Sequence, residues 1–134
     1  MRILIAEDDK VSEILMKNYL KNYGECITAE NGVKALNLFV ESFDEKPFDL
    51  VCLDIMMPVM TGIEALKKIR EFEESRKVTG LDHSKIIMVT ALDQKSEVME
   101  AFKSGCEAYI VKPISKTDIK KALENLGITE KTSE

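Results

Sequence analysis

Histidine and cysteine are scarce in this chain of 134 residues. The only histidine is His83, and the cysteines are Cys26, Cys52 and Cys106, with no Cys-x-x-Cys pair among them. A structural zinc site needs several such ligands at close spacing, and a secreted disulfide framework usually has an even number of cysteines. We therefore expect neither feature, and we predict three structural thiols in a protein of the cytoplasm.

Long apolar runs and an excess of positive charge are also missing. The longest uncharged apolar stretch without a proline or glycine covers residues 86–92, whereas a membrane-spanning helix needs roughly 20 residues. The apolar start of the chain meets Glu7 almost at once, so we expect no signal peptide. The net charge is −5. Because nucleic acids and anionic membranes attract basic patches, this charge argues against direct binding to either.

The composition is that of one globular domain. Hydrophobic residues make up 45% of the chain and charged residues 32%, which are ordinary proportions that argue against disorder. A chain of this length can bury a core without disulfides or a structural metal. We expect the domain to occupy residues 1–127 and residues 128–134 to form a polar tail.

Short β-branched apolar runs alternate with amphipathic stretches along the chain. The predicted strands cover residues 2–6, 25–29, 49–53, 85–90 and 108–111. The predicted helices cover residues 10–22, 31–43, 63–75, 93–104 and 115–126, the last opened by a possible capping box at Ser115. In the first helix, Val11, Ile14, Leu15 and Tyr19 recur near helical spacing. Five alternations of this kind predict an α/β fold, a parallel sheet with helices on both faces.

A set of mostly polar residues lies at or just beyond the ends of four of the predicted strands. Because parallel sheets bind ligands at the carboxyl ends of their strands, these residues are expected to share one edge. They are Glu7, Asp8 and Asp9, then Asp54, then Thr90 and Ala91, and finally Lys112 and Pro113. Each one alone would be an ordinary turn, cap or surface residue. Their joint occurrence at one edge is what favours a functional site.

The types of residue at this edge suit phosphoryl chemistry. Carboxylates gathered in a partly dehydrated site repel one another, and Mg²⁺, which prefers oxygen ligands, relieves that repulsion. The hydroxyl of Thr90 and the cation of Lys112 suit a phosphoryl group. A carboxylate nucleophile beside a metal and a lysine is the composition needed to accept a phosphoryl group covalently.

Four segments resemble the response-regulator receiver domain, the chemotaxis-type phospho-acceptor module of two-component signalling. They are ILIAEDD at 3–9, DIMMPVMTG at 54–62, MVTA at 88–91 and YIVKP at 109–113. The resemblance covers residues 2–126 in order and spacing. It implies a flavodoxin-like fold, a doubly wound five-stranded parallel sheet of order 2-1-3-4-5 with five helices.

The resemblance also assigns residues to the phosphorylation site. It implies that Asp54 is the phosphorylated aspartate. Asp8, Asp54 and the backbone carbonyl of Met56 are expected to bind Mg²⁺, with Glu7 acting through a bound water. Two apolar side chains, Met56 and Leu92, are expected to flank the path of water to the acyl phosphate and to make it long-lived.

A second group of residues is expected to sense the phosphoryl group. By resemblance, Thr90 and Lys112 contact it, and Thr90 and Tyr109 act as the switch hydroxyl and the switch aromatic. The bond between Lys112 and Pro113 is expected to be cis. When Thr90 moves toward the phosphoryl group, Tyr109 turns inward and reshapes the face made by the fourth helix, fifth strand and fifth helix.

The sequence departs from the plainest family pattern in three ways. The acidic pair is Glu-Asp, and the following Asp9 is expected to cap the first helix. Residue 61 is Thr where many members have Asp. The loop at residues 76–84 is several residues longer than the family norm, and it is either a partner contact or neutral surface variation.

The function implied is that of a signalling switch and not of an enzyme. A histidine kinase or histidine phosphotransfer protein would phosphorylate Asp54, and a downstream effector protein or fused output domain would read the result. The domain would be a monomer or a phosphorylation-dependent dimer. Whether it stands alone or belongs to a longer regulator stays open.

Three other functions are compatible with parts of the pattern. A receiver-like binding module would work by protein contact without phosphorylation, against which the complete acidic set counts. An aspartyl phosphatase would have a second Asp two residues after the nucleophile, where this chain has Met56. A flavin site would need a Ser-, Thr- or Gly-rich loop after the first strand, and the Glu-Asp-Asp-Lys found there would repel a phosphate.

Overall fold

The structure of the chain, a computed structural model, describes residues 1–78, 82–91 and 93–130. Part of the long loop 76–84, the position of Leu92 and most of the polar tail lie outside these ranges. The strands are β1 (Arg2–Ala6), β2 (Glu25–Ala29), β3 (Leu50–Asp54), β4 (Lys85–Thr90) and β5 (Ala108–Val111). The helices are α1 (Lys10–Leu20), α2 (Gly32–Ser42), α3 (Gly62–Ser75), α4 (Lys95–Lys103) and α5 (Lys116–Asn125).

All five strands pair in parallel, in the order β2-β1-β3-β4-β5. This order confirms the predicted doubly wound, flavodoxin-like fold. The chain moves from β1 to one side to add β2 and then to the other side for β3, β4 and β5. The reversal leaves a crevice beyond the carboxyl ends of β1 and β3, which is where doubly wound sheets bind their ligands.

The sheet separates two apolar cores, because successive side chains of a strand point to opposite faces. On one face, Leu4 and Ala6 of β1 join the buried residues of α2, α3 and α4. On the other face, Ile3 and Ile5 join those of α1 and α5. Every residue of β3 is buried, as expected for a central strand covered on both faces.

Helix α1 differs from the expected pattern. Val11 and Ile14 are exposed, at 65% and 57%, and the fully buried residues are Met16 and Leu20. Apolar side chains occupy much of the circumference of α1, so helical spacing alone does not identify the side that packs on the sheet.

Within the described residues, no helix has the length and apolar character needed to cross a bilayer.

Side-chain caps begin four of the helices. Asp9 accepts a hydrogen bond from the N–H of Ser12 at the start of α1, as predicted, and Asn31 caps α2 in the same way. Ser115 caps α5, but the reciprocal capping box is found at α3. There Thr61 and Glu64 each accept from the other's backbone N–H. The Thr at position 61 therefore fixes the start of the helix that follows the β3 loop.

Candidate functional site

Three carboxylates meet at the crevice between β1 and β3. Glu7 and Asp8 follow β1 directly, and Asp54 is the last residue of β3. One oxygen from each carboxylate lies within 4.8 Å of the others. Glu7 and Asp54 are buried, at 2% and 4% exposure, whereas Asp8 is exposed. The sequence prediction that these three side chains share one sheet edge is confirmed.

Lys112 reaches this cluster from the end of β5. Its Nζ donates to Asp54 Oδ2 at 2.8 Å and lies 3.2 Å from Glu7 Oε1. The backbone N–H of Lys112 donates to the carbonyl of Thr90 at 2.7 Å, which extends the β4–β5 pairing to the loop that carries the lysine. The bond between Lys112 and Pro113 is cis. One ammonium group therefore faces two buried carboxylates.

The second oxygen of Asp54 is held by the loop after β3. Its Oδ1 accepts from the backbone N–H of Met56 at 3.1 Å. The loop returns tightly to β3, because a Cβ on Gly62 would lie 2.1 Å from the carbonyl oxygen of Asp54. Only glycine fits this approach. Met56 itself is 59% exposed.

Electrostatics at the cluster favour an additional positive charge. The pKa of Glu7 is raised from 4.5 to about 8, and burial is the largest cause. A hydrogen bond to Asp54, which needs a proton, and the negative charge of Asp54 raise it further. Burial disfavours the charged form of Lys112, but its hydrogen bond to Asp54 and the two carboxylates outweigh this and raise the pKa of Lys112. A single lysine therefore compensates the carboxylates only in part.

Thr90 ends β4 and Tyr109 lies in β5, and neither side chain has a hydrogen bond to the cluster. The Thr90 hydroxyl is 3.0 Å from Gln94 Oε1 and 3.1 Å from the Ala91 carbonyl oxygen. Tyr109 is 47% exposed and packs edge-on against Phe102, with ring centroids 5.9 Å apart. A groove of about 440 Å³ runs between the threonine and the tyrosine.

The family comparison agrees with this geometry. The family defined as "Response regulator receiver domain" matches residues 3–124 of the chain. The chain belongs to the response-regulator receiver family. The receiver domain is 37% identical over 124 residues to the chemotaxis protein CheY of Bacillus subtilis, covering 91% of this chain and 93% of that protein.

Solved structures show the same likeness. A chain of the CheX–CheY–BeF₃–Mg²⁺ complex from Borrelia burgdorferi has a TM-score of 0.81 and 25% identity to the receiver domain, covering 96% of this chain and 90% of that one. The complex of the Saccharomyces cerevisiae histidine phosphotransfer protein Ypd1 with the receiver domain of Ssk1 gives a TM-score of 0.78 and 30% identity. That match covers 92% of this chain and 87% of that one.

The donor set of the receiver domain fits Mg²⁺. All three side chains of the cluster offer carboxylate oxygens, the ligands that hard divalent cations prefer. The raised pKa of Glu7 shows that the buried cluster accommodates its negative charge poorly without a cation. Asp8 is exposed and so leaves room for metal-bound waters, which Mg²⁺ usually keeps.

Gln94 is the residue at this site that sequence reasoning missed. It directly precedes α4, and its side chain accepts from the backbone N–H of Ala91 at 2.7 Å as well as lying close to the Thr90 hydroxyl. A glutamine four residues after the strand-end threonine was visible in the sequence. Nothing in the sequence indicated that its side chain turns back onto the strand end, because glutamine has many rotamers and no capping preference.

Proposed function

We propose that the receiver domain accepts a phosphoryl group from a histidine kinase or a histidine phosphotransfer protein onto Asp54 and switches a protein-interaction face. The observation that supports this best is the environment of Asp54. It is a buried carboxylate 2.8 Å from the Lys112 ammonium and within 4.8 Å of two further carboxylates at a sheet crevice. A carboxylate nucleophile beside a cation and further carboxylates that could hold a metal is an arrangement suited to covalent phosphoryl acceptance.

Asp54 is held in one orientation, which favours in-line attack. Both of its oxygens accept hydrogen bonds, Oδ2 from Lys112 and Oδ1 from the Met56 N–H. In the proposed step, an Asp54 oxygen forms a bond to phosphorus as the P–N bond of a phosphohistidine breaks. The departing imidazole keeps the electron pair and takes up a proton. Fixing the nucleophile is much of what phosphoryl transfer requires of a protein.

Lys112 would remain beside the transferred group. Its Nζ already contacts Asp54 Oδ2, so a small movement lets it donate to a phosphoryl oxygen. Asp8, Asp54 and the Met56 carbonyl would hold Mg²⁺, and Glu7 would act through a water. When bound, Mg²⁺ supplies positive charge that offsets the oxygens of the phosphoryl group.

The proposed response begins at Thr90. Its hydroxyl leaves its present acceptors and donates to a phosphoryl oxygen. The Tyr109 ring, now half-exposed against Phe102, then moves into the groove that separates it from Thr90. This movement changes the surface formed by α4, β5 and α5, which an effector protein or an output domain would read. The domain would act as a monomer or a phosphorylation-dependent dimer.

The proposal describes a regulator and not an enzyme, because it turns over no external metabolite. Two of the similar structures support the kinds of partner. One is a complex of a histidine phosphotransfer protein with a receiver domain, and the other is a complex of CheX and CheY with beryllofluoride and magnesium. We also propose a cytoplasmic location, which the three free thiols support because the cytosol keeps cysteines reduced.

Labelling with acetyl phosphate tests this function. The parent should take up one phosphoryl group in the presence of magnesium, and Asp54→Asn should take up none, because an amide is not a nucleophile but has almost the same shape. Asp9→Asn is the matched control, since Asp9 caps α1 outside the cluster and should leave labelling intact. Full labelling of Asp54→Asn would exclude Asp54, and an unlabelled parent would favour a binding module.

A further inference from the structure

The side chain of Gln94 binds the end of β4 instead of capping α4. Four helices of the domain have a side-chain cap, but α4 has no such bond at its N-cap, Gln94. The Gln94 Oε1 accepts from the Ala91 N–H at 2.7 Å and from the Thr90 hydroxyl at 3.0 Å. The Gln94 backbone N–H in turn donates to the Ala91 carbonyl at 3.2 Å. Gln94 therefore bonds residues 90–91 through both its side chain and its backbone.

The Thr90 hydroxyl has a single proton to donate. Thr90 is 1% exposed, so bulk water does not compete for that proton. Its two acceptors are the Gln94 side chain and the Ala91 carbonyl, and the latter already accepts from the Gln94 backbone. A hydroxyl that donates to Gln94 cannot donate to a group on Asp54 at the same time.

Gln94 also lines the groove between Thr90 and Tyr109. The same side chain is thus next to the hydroxyl that would move first and to the space that the tyrosine ring would enter. Its contact with Thr90 opposes the rearrangement that the proposed function needs.

We propose that Gln94 is a positioning residue that restrains the Thr90 hydroxyl in the unphosphorylated domain and so lowers the domain's response to a phosphoryl group. This inference rests on the proposed function of Asp54. Gln94 would set how strongly phosphorylation is coupled to the movement of Thr90 and Tyr109, whereas the residues of the cluster would carry out the phosphoryl transfer.

Two substitutions at position 94 should act in opposite directions. Gln94→Met keeps the length of the side chain but removes the acceptor, and water can replace the bond to the exposed Ala91 N–H. The affinity for beryllofluoride with magnesium should then rise about two- to tenfold, the worth of one neutral hydrogen bond. Gln94→Glu supplies a charged and therefore stronger acceptor, so it should lower that affinity.

A Thr90→Ala background separates this restraint from general effects. Without the hydroxyl, Gln94→Met should leave the beryllofluoride affinity unchanged. Any effect of Gln94→Glu that persists there measures the added charge alone. Equal effects of Gln94→Met in the parent and in the Thr90→Ala background would show that the residue acts through the stability of α4 and would overturn the inference.

A second measurement needs no phosphoryl mimic. Three-bond couplings of the Thr90 methyl group report its χ1 rotamer in the metal-free domain. One rotamer is expected in the parent and an average of rotamers in Gln94→Met. Unchanged couplings together with unchanged beryllofluoride affinity would refute the restraint. If the parent itself fails to bind beryllofluoride, the proposed function of Asp54 fails, and the couplings alone decide whether Gln94 restrains Thr90.

Discussion

Raising the pH in metal-free buffer should destabilise this receiver domain, because Glu7 is buried beside Asp54. The pKa of Glu7 lies at about 8 in the folded domain and near 4.5 in an exposed carboxyl. Between these values the native state binds a proton that the unfolded chain does not. The free energy of unfolding therefore falls as the pH rises through this interval.

The other groups with a shifted pKa titrate outside this window. Hydrogen bonds lower the pKa of three exposed carboxyls, those of Asp9, Glu30 and Glu64. The contributions of these carboxyls to stability are therefore lost only as the pH falls below the usual carboxyl range. Burial opposes the charged form of Lys112, but the hydrogen bond to Asp54 and the nearby carboxylates outweigh it and raise the pKa of Lys112 above 10.5. The contribution of Lys112 to stability is therefore lost only at still higher pH. A loss of stability between about pH 5 and pH 8 is therefore assigned to Glu7.

The expected change is large. Each pKa unit corresponds to about 1.4 kcal/mol, and the window spans about three pH units below the raised pKa of Glu7, so we expect a decrease of roughly 2 to 4 kcal/mol across it. Bound metal replaces the proton, so saturating magnesium should remove most of the decrease. Stabilisation by magnesium should therefore be greater at about pH 8 than at about pH 5.

Urea unfolding at a series of pH values, in chelator and in magnesium, measures this effect. Glu7→Gln is the matched control, because the amide keeps the shape but does not titrate. In chelator this variant should be insensitive to pH across the window, and near pH 8 it should be more stable than the parent. A parent that is equally stable at both ends of the window without metal would refute the electrostatic account of the cluster.

Three further substitutions give separate predictions. Gly62→Ala should cost about 1 to 3 kcal/mol in urea unfolding and slow labelling by acetyl phosphate, because its Cβ would meet the carbonyl oxygen of Asp54 at 2.1 Å. Arg70→Met should cost about 3 to 5 kcal/mol, because it leaves Glu73, 1% exposed, without its 2.6 Å ion pair. Labelling of the folded variant should stay normal. Met56→Asn should speed loss of the phosphoryl group about tenfold in a phosphate-release assay, since an amide can orient the attacking water.

The sheet and its edge residues were predictable because β3 is buried on both faces and ends at a polar residue. That pattern gives the strand, its central position and the placement of Asp54. The partners of Lys112 followed in the same way, since parallel strands bring their carboxyl ends to one edge. The sheet brings these groups together although Lys112 lies 58 residues from Asp54 and 105 residues from Glu7 along the chain.

The start of α3 could also have been predicted. Thr61 followed by Glu64 is a capping-box pattern, and the structure has both of its hydrogen bonds. The capping box was predicted at Ser115 instead, where only the side-chain cap is present. Thr61 therefore helps to position the turn after Asp54, because it caps the helix that follows this turn.

The packing side of α1 and the contacts of Arg70 could not be predicted. Apolar residues surround much of α1, so the buried side depends on the angle at which the helix lies on the sheet. Arg70 donates to the carbonyl of Ser84, which precedes β4, and to the carbonyl of Gly105 and the carboxylate of Glu107, which both lie between α4 and β5. Such contacts are set by tertiary packing, and no local pattern encodes them.

Site-specific mapping of the phosphoryl group is the most direct test of the central claim. Domain phosphorylated by acetyl phosphate in magnesium is reduced with borohydride, which converts an aspartyl phosphate to homoserine, and its peptides are sequenced by mass spectrometry. We predict conversion at Asp54 alone, with Glu7, Asp8 and Asp9 unchanged. Conversion at another carboxylate, or a phosphoryl group on a hydroxyl that resists reduction, would contradict the account.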